Sequence, residues 1–175
     1  MKQIYLDTNI FVTHFSDDGT EEVEKICCDK FLERLSKSVD VEFLTSAWTI
    51  TEMANVLVSK KRMDPAKVTE IENDLIRGRR LGDIKFKLVD VGDKDYDFNE
   101  LFLDIRKRII NYDAGVGDSI HSIIMKNNKI EIIITTDQRG FDKIPQLIVL
   151  NPVQIILSEL GLQDSKRKEE QVKNL

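Results

Sequence analysis

The chain has 175 residues, of which 41% are hydrophobic and 33% charged, and its formal net charge is -5 at pH 7. This composition suits one folded domain with a sizeable core, and it is atypical of a disordered chain or of a membrane protein, since no run approaches the roughly 18 apolar residues of a membrane span. At first sight the negative charge also argues against a partner as negative as a nucleic acid.

Short apolar runs along the chain predict the strands of a mostly parallel sheet. Several of them are apolar on both faces, as buried parallel strands require. The predicted strands are 3–6, 41–44, 86–91, 131–135 and 147–150. Helical spacing of apolar residues predicts helices at 21–37, 48–60, 65–79, 95–110 and 118–127. A further short helix is expected after Asn151-Pro152, ending near Gly161.

The order of these elements indicates the fold class. One helix follows the first strand, about three follow the second, and two follow the third before the last two strands. Such alternation predicts an α/β sandwich built on a mostly parallel sheet of about five strands. Residues 163–175 are dominated by charged and amide side chains. We therefore expect one domain at 1–160 and a flexible charged tail at 161–175.

The cysteines and the first residues bear on the cellular compartment. Cys27 and Cys28 are adjacent, a spacing that rarely supports a disulfide and that offers too few ligands for zinc. We expect them to be buried helix residues in a reducing environment. No basic segment followed by a long apolar one, as in an export signal, precedes Ile4. Together these features predict a cytoplasmic protein with no membrane partner.

Two aspartates follow predicted strands directly. Asp7 comes after the first strand, and Asp137 follows the strand at 131–135 at a distance of two residues. In open parallel sheets the ligand crevice lies outside the carboxyl ends of the strands, so both carboxylates should lie at one edge of the sheet. Each could instead serve only as a helix N-cap, a position that aspartate favours.

Two further acids lie on predicted helices in unusual surroundings. Glu52 has Trp48, Met53 and Val56 as helical neighbours, which is not an exposed charged face, although a glutamate beside an apolar stripe often only extends to solvent. Asp118 begins a helix, where it could simply complement the helix dipole. His121, one turn further on, is expected to be a satisfied core residue more than a functional one.

Four carboxylates in one pocket indicate a particular chemistry. Ionised carboxylates cannot lie close together without a cation, because like charges raise one another's pKa. Mg²⁺ or Mn²⁺, with oxygen ligands and retained waters, is the natural counter-ion. Such ions activate water and neutralise a phosphodiester transition state. The set Asp7, Glu52, Asp118 and Asp137 therefore predicts metal-dependent hydrolysis of a nucleic acid.

At these residues the sequence resembles the PIN-domain nucleases, and especially the short prokaryotic toxins of the VapC type. The resemblance covers about residues 3–158 and lies in an ordered set of short motifs. These motifs are Leu6-Asp7-Thr8-Asn9, Thr45-Ser46 through Thr51-Glu52, Gly117-Asp118-Ser119-Ile120-His121, Thr135-Thr136-Asp137 with Phe141, and Leu150-Asn151-Pro152.

The resemblance implies a three-layer α/β/α fold and a ribonuclease that needs Mg²⁺ or Mn²⁺. It matches the four acids to the family's metal ligands, and it matches Thr8, Asn9 and Thr136 to polar positions that orient those ligands or a bound water. It also implies an RNA substrate, an antitoxin partner if the chain is a toxin, and a homodimer. The faces of the early helices are the expected contact surface for such partners.

Basic residues are concentrated in one segment. Residues 60–80 hold seven basic and four acidic residues, a balance of +3 in a chain of -5. Such a cluster could grip RNA phosphates beside the acidic pocket, or it could be an ordinary solvated helix face. The candidate RNA-binding residues are Lys60, Lys61, Arg62, Arg77, Arg79 and Arg80.

Two alternative functions remain open on the sequence. The first is a PIN-fold module that binds or assembles RNA or protein without cleaving it, which the complete set of acids disfavours. The second is a phosphatase of the haloacid dehalogenase type, which also begins with an aspartate after a strand. That chemistry needs a second aspartate two positions later, where this chain has Asn9.

Overall fold

The fold is described from a computed structural model, in which residues 1–16, 22–91 and 97–159 are placed. These residues form six strands and seven helices. The strands are β1 (Lys2–Leu6), β2 (Val41–Ser46), β3 (Arg80–Leu81), β4 (Ile84–Val89), β5 (Ile132–Ile134) and β6 (Ile148–Leu150). The helices are α1 (Thr8–Phe15), α2 (Glu22–Ser36), α3 (Ala47–Ser59), α4 (Pro65–Gly78), α5 (Phe98–Tyr112), α6 (Val116–Asn127) and α7 (Pro152–Glu159).

The strands form one mostly parallel sheet in the order β3-β4-β2-β1-β5-β6. β1 is central and pairs in parallel with β2 and β5, while β4 and β6 extend the parallel sheet on either side. Only β3 runs antiparallel, to β4. The predicted α/β class and the mostly parallel sheet are confirmed, and the carboxyl ends of β1 and β5 meet at one edge.

The alternation of β1 shows how the sheet is covered on both faces. Ile4 and Leu6 belong to one buried cluster, formed with side chains of α1, α2, α3, α4 and α7. Tyr5 points the other way, into a second cluster with α6 and Phe141. Because successive strand side chains alternate between faces, a strand that is apolar throughout requires a layer on each side. The result is the three-layer sandwich that the sequence predicts.

The count of elements differs from the prediction in three places. The sheet has a sixth strand, β3, which is only two residues long and leaves no period-two pattern to detect; Gly82, at φ 55°, makes the turn into β4. Two helices, not one, lie between β1 and β2. Two helices, not about three, separate β2 from β3, and the residues between α4 and β4 form a hairpin strand instead of a third helix.

Other details agree with the prediction or lie outside the described residues. Cys27 and Cys28 are buried free thiols of α2. The predicted beginnings of two helices, at residues 21 and 95, and the tail at 161–175 are outside the described part of the chain. Within that part, no helix combines the length and apolar character needed to cross a membrane.

Candidate active site

Asp7 lies at the carboxyl end of β1 and is almost completely buried, with 3% of its surface exposed. Its backbone N–H donates to the carbonyl of Ile134 over 3.1 Å, which continues the pairing of β1 with β5. The Thr135 hydroxyl donates to Asp7 Oδ2 over 2.7 Å, and the Asn9 amide approaches the same oxygen at 3.3 Å. The Asp7 side chain makes no capping hydrogen bond to α1, so a helix cap does not explain it.

Glu52 faces the same pocket from α3. Its Oε2 accepts a hydrogen bond of 2.7 Å from the Thr8 hydroxyl and lies 2.9 Å from Nε2 of His121. The Glu52 side chain is 29% exposed. It is therefore held between α1 and α6, and the alternative of a side chain that only extends to solvent does not describe it.

Asp118 lies in the first turn of α6, which begins at Val116. A methyl group at Gly140 would overlap the Asp118 carboxylate, and one at Gly115 would lie 3.1 Å from its Oδ2. The carboxylate thus packs directly against the backbone of the loop after Asp137. Its place in the first turn also suits the helix dipole, so the alternative that Asp118 only complements this dipole stays open.

Asp137 completes the acidic set from the loop after β5. Its backbone N–H donates to the Thr135 hydroxyl over 3.1 Å, so Thr135 connects Asp137 to Asp7. The guanidinium of Arg139 donates two hydrogen bonds to its carboxylate, one of 2.9 Å from Nε to Oδ1 and one of 2.7 Å from Nη2 to Oδ2. Asp137 is the most exposed of the four acids, and Arg139 is 91% exposed.

His121 lies beside Asp7 and Glu52 and is 1% exposed. Its Nε2 lies 2.9 Å from Glu52 Oε2 and 3.5 Å from Asp7 Oδ1, while its Nδ1 is 3.0 Å from the hydroxyl of Tyr5. That hydroxyl also contacts Ser46 and Thr49 at the start of α3. The expectation of a satisfied core residue is therefore incomplete, because the partners of this buried imidazole are the candidate metal ligands.

The pKa values show how the protein treats this concentration of charge. Burial raises the pKa of Asp7, and burial followed by the charge of Asp7 raises that of Asp118. Burial acts against a charged His121, yet hydrogen bonding to Glu52 and the charges of the surrounding acids raise its pKa. Burial disfavours ionised Glu52 as well, but His121 and Thr8 outweigh it and lower the pKa. The pocket thus favours positive charge.

Carboxylate oxygens are the donors that a hard divalent cation prefers, but the four acids are not arranged as a closed cluster. No group of three or more acidic, His or Cys side chains among the placed residues is gathered closely enough to form a ready-made metal site. Asp7 and Glu52 are hydrogen-bonded to neighbouring side chains, and Asp137 is paired with Arg139. Burial, followed by the charge of Asp7, raises the pKa of Asp118, and a divalent cation would relieve the repulsion between these carboxylates.

An open cleft of about 590 Å³ adjoins the acids on the side of Asp137. Asp7, Glu52 and Asp118 lie beyond its lining, so the cleft is a neighbour of the acidic set and does not enclose it. Most of its lining side chains are polar. They are Asn9, Val12, Thr13, Glu24, Thr136, Asp137, Gln138, Arg139, Asp142, Asn151 and Gln154.

The other predicted residues are distributed unevenly around the site. Thr8 and Asn9 contact Glu52 and Asp7 directly, whereas Thr136 lines the cleft and Thr135 supplies the hydroxyl to Asp7. Among the basic residues, the charge of Lys60 reaches Glu52. Lys61, Arg62 and Arg77 lie on the surface near the ends of α3 and α4.

Two of the predicted basic residues lie away from the acids. Arg79 lines a separate cleft with Met1 and Val41, which are at the amino ends of β1 and β2. Arg80 belongs to β3 and pairs with Lys85 near the same end of the sheet. The acids lie at the carboxyl ends of β1 and β5. The structure therefore does not bring Arg79 and Arg80 to the acidic pocket.

Comparison with known proteins adds a family and several similar folds. The model of the PIN domain family matches residues 4–147. No curated protein sequence matches the chain. Among solved structures, FitAcB from Neisseria gonorrhoeae is 17% identical, covers 85% of this chain and 97% of its own, and superposes with a TM-score of 0.52.

Two further structures are similar to the fold. VapBC2 from Rickettsia felis, bound to a DNA fragment from its promoter, is 18% identical, with 85% of this chain and 98% of that chain covered and a TM-score of 0.56. VapC20 from Mycobacterium tuberculosis, described as a toxin that cleaves the sarcin-ricin loop, is 13% identical, with 77% and 90% covered and a TM-score of 0.52. At these identities the likeness concerns the fold alone.

Proposed function

This chain belongs to the PIN-domain family, and from that premise we propose that it is a Mg²⁺- or Mn²⁺-dependent endoribonuclease. It hydrolyses phosphodiester bonds of single-stranded or structured RNA. The observation that carries the proposal is that Asp7, Glu52 and Asp118 act on buried His121, with Asp137 beside Asp118 at the same edge of the sheet. PIN nucleases generally use divalent metals, and this donor set suits one.

Asp7, Glu52, Asp118 and Asp137 would hold the ion or ions. When bound, a divalent cation supplies an activated water and neutralises charge on the phosphodiester. The remaining work belongs to the chain itself. The Thr135 hydroxyl donates to Asp7 and the Thr8 hydroxyl donates to Glu52, so that each carboxylate is held in a fixed orientation. No nucleophilic side chain is required, and no covalent intermediate forms.

His121 contributes a proton and a fixed geometry to this arrangement. Because Nε2 faces Glu52, it donates to that carboxylate, and its ring is held from the other side by the Tyr5 hydroxyl. The proton on Nε2 offsets part of the negative charge at Asp7 and Glu52. We assign His121 to positioning, since it reaches the reaction only through these acids.

The biological setting is also a proposal. VapC20, which is similar in fold, is described as a toxin, and this supports a role for the chain as the toxin of a toxin–antitoxin pair in the cytoplasm. In that setting a small antitoxin protein masks the acidic pocket, and the toxin associates with a second copy of itself. An antitoxin gene directly beside the gene for this chain would support the assignment.

One observation favours the alternative of a binding module that does not cleave RNA. Asp137 is already neutralised by Arg139, and no closed metal cluster is formed among the residues that the structure describes. Under this alternative the acids would be structural, and divalent cations would bind weakly or not at all. Calorimetric titration with Mn²⁺ separates the two functions, because only the nuclease requires a bound ion.

The decisive experiment is cleavage of single-stranded RNA by acid-to-amide variants. Asp7→Asn and Asp118→Asn each keep the shape of the side chain but remove its charge. Loss of a residue that supports a metal ligand typically lowers activity by roughly 10- to 100-fold. These variants change the proposed ligands themselves, so we expect a larger loss of activity in each. Asp113→Asn is the matched control, since Asp113 is 92% exposed and pairs only with Lys143 among the contacts seen. Parental activity in the first two variants with Mn²⁺ present would refute the proposal.

A further inference from the structure

The single tryptophan of the chain, Trp48, lies in an unusual place for such a side chain. It is the second residue of α3 and is 36% exposed. Among the described residues, none hydrogen-bonds to its indole N–H and no aromatic ring packs on its face. Tryptophan is highly buried on average, and its N–H usually finds a partner where it is buried. Packing of the fold therefore does not account for this indole.

Single exposed apolar side chains are common on protein surfaces, so the position of Trp48 decides its meaning. Trp48 precedes Glu52 by four residues, which places their Cβ atoms about 5–6 Å apart on one face of α3. α3 starts directly after β2, at the carboxyl edge of the sheet, and helix side chains lean toward the amino end of their helix. The indole thus lies one helical turn from a proposed metal ligand, at the edge where the acids are.

The start of α6 supplies a second exposed apolar side chain beside Glu52. A methyl group at Gly117 would lie 2.7 Å from Glu52 Oε1, so the backbone of α6 packs directly against this carboxylate. Val116, the residue before Gly117, is 57% exposed. The Glu52 carboxylate therefore has an exposed apolar neighbour on each of two helices, Trp48 on α3 and Val116 on α6.

This mixture of surfaces favours a nucleobase over a protein segment as the ligand. The exposed residues one and two turns after Trp48, Thr51 and Asn55, are polar and uncharged. The Glu52 carboxylate separates the indole from Val116, so no continuous apolar patch of the kind that marks a protein interface is formed here. A nucleobase instead has an apolar face and a polar edge, and unpaired bases stack on aromatic side chains. Its phosphate can reach the acids at the same time.

We propose that Trp48 is the stacking platform for one unpaired nucleobase of the RNA substrate, next to the phosphodiester that is cleaved. The inference rests on the proposed function and adds to it a binding position for a base. The base must be unpaired and unstacked, because its neighbours in a helical stack would otherwise cover its faces. Every base has a π-face, so this contact contributes affinity and tolerates different bases.

Intrinsic fluorescence tests the platform directly, because all tryptophan emission of the chain comes from one position. The full chain is titrated with a short single-stranded oligoadenylate in Ca²⁺, so that binding is observed without cleavage. We expect saturable quenching of the Trp48 emission. An oligomer of the same length with the ribose-phosphate backbone but no bases should cause no quenching, and neither should the oligoadenylate when it is paired with oligouridylate.

Substitution of Trp48 provides the second test, read by fluorescence anisotropy of the labelled oligoadenylate. Trp48→Ala should weaken RNA binding by about 5- to 150-fold, the value of one base–aromatic stack, and Trp48→Phe should recover most of the loss. The matched control is Val58→Ala on the same helix, where the parent side chain is 38% exposed against 36% for Trp48. All three variants should bind Mn²⁺ like the parent in calorimetry, since neither side chain is a proposed ligand.

Several outcomes would overturn the proposal. They are an unquenched indole in a chain that anisotropy shows to be saturated with RNA, equal quenching by the oligomer without bases or by the duplex, and parental RNA affinity in Trp48→Ala. Equal losses from Trp48→Ala and Val58→Ala, or a Trp48→Phe variant no better than Trp48→Ala, would also overturn it. An indole that is shielded only in a complex with a second protein would assign Trp48 to a protein interface, and the proposal would be wrong.

Failure of the proposed function has a different signature. An Asp7→Asn variant that cleaves RNA like the parent would refute metal-dependent cleavage at the acids, yet the quenching of Trp48 and the RNA affinity of Trp48→Ala could still be read. Conversely, cleavage that is lost in Asp7→Asn, together with parental RNA affinity in Trp48→Ala, would keep the nuclease and remove the stacking platform.

Discussion

Gly140 lets the Asp118 carboxylate lie against the backbone of the loop that carries Asp137. A Cβ atom at this position would overlap Asp118 Oδ2. We therefore expect Gly140→Ala to push the loop and the carboxylate apart, and to reduce Mn²⁺ affinity and RNA cleavage by about 10- to 100-fold, as disturbance of a metal ligand does. Calorimetry and a cleavage assay measure the two effects.

The control for this prediction is Gly78→Ala at the end of α4. A Cβ atom there meets nothing within 4 Å, so the variant should bind Mn²⁺ and cleave RNA like the parent. Gly140→Ala with parental Mn²⁺ affinity would mean that Asp118 takes no part in holding the ion. Loss of Mn²⁺ affinity in both variants would mean that the loss does not arise from the contact between Gly140 and Asp118.

Under the proposed function, Arg139 would compete with a cation for Asp137. Its guanidinium occupies both carboxylate oxygens and lowers the pKa of Asp137 through those hydrogen bonds. Arg139→Gln removes the positive charge and frees the oxygens, so we expect tighter Mn²⁺ binding by a few-fold in calorimetric titration. Lys143→Gln is the control, because Lys143 pairs with Asp113 outside the acidic set. Weaker Mn²⁺ binding by Arg139→Gln alone would show that the arginine supports the site.

The four candidate acids were easier to propose from the sequence than the residues that contact them. Asp7 and Asp137 follow apolar strands, a relation that can be read directly from the chain and that places both at one edge of the sheet. Thr135 and His121 give no such signal, because their roles arise from pairing across β1, β5 and α6. The spacing of His121 from Asp118, one helical turn, was the only available indication. Gly140 was not visible at all, since its role is to leave space.

Tyr5 joins three elements beneath the site. It extends from β1 and its hydroxyl contacts Ser46 and Thr49 at 2.7 and 2.9 Å, and His121 of α6 at 3.0 Å. Burial raises the pKa of this hydroxyl well above its usual range, so it stays protonated. Tyr5→Phe leaves His121 Nδ1 without this partner, and we expect the free energy of unfolding to fall by about 1–3 kcal/mol.

Urea denaturation measures this loss, with Tyr112→Phe on the partly exposed α5 as the control. The control should stay within about 0.5 kcal/mol of the parent, as surface substitutions usually do. An unchanged free energy of unfolding in Tyr5→Phe would show that the hydroxyl contributes nothing to stability. The prediction concerns stability and therefore stands apart from any effect on cleavage.

At the level of elements, long periodic segments were predictable and short ones were not. α3 and α4 carry stripes of apolar residues over 13 and 14 residues, and both were expected nearly where they lie. α1 has eight residues, follows β1 directly and is apolar on most sides, so it left too little pattern to separate it from the strand. β3 owes its pairing to β4 across the turn at Gly82 and not to its own two residues.

For the whole molecule, the net charge of -5 first argued against a nucleic-acid partner. The structure divides that charge into regions. Three acids, Asp7, Glu52 and Asp118, act on one buried imidazole at the carboxyl edge of the sheet, with Asp137 beside Asp118, while Arg79 and Arg80 lie towards the other end. Two divalent ions at the acids would change the balance from -5 to about -1. Under the proposed function, the acidic pocket would repel RNA in the absence of metal.

We therefore expect RNA affinity to depend more steeply on divalent cations than it would if RNA bound only to a surface away from the acids. With Ca²⁺ in place of the catalytic ion, so that binding is measured without cleavage, we expect a single-stranded RNA to bind at least tenfold more tightly than in EDTA at equal ionic strength. Fluorescence anisotropy of a labelled RNA measures the difference. Asp7→Asn removes one negative charge from the pocket, so RNA should be repelled less in EDTA and Ca²⁺ should bind less tightly. The difference in RNA affinity between Ca²⁺ and EDTA should therefore be smaller in this variant than in the parent. Equal affinity in EDTA would place RNA on a surface remote from the acids, and the neutralisation argued here would then have no part in substrate binding.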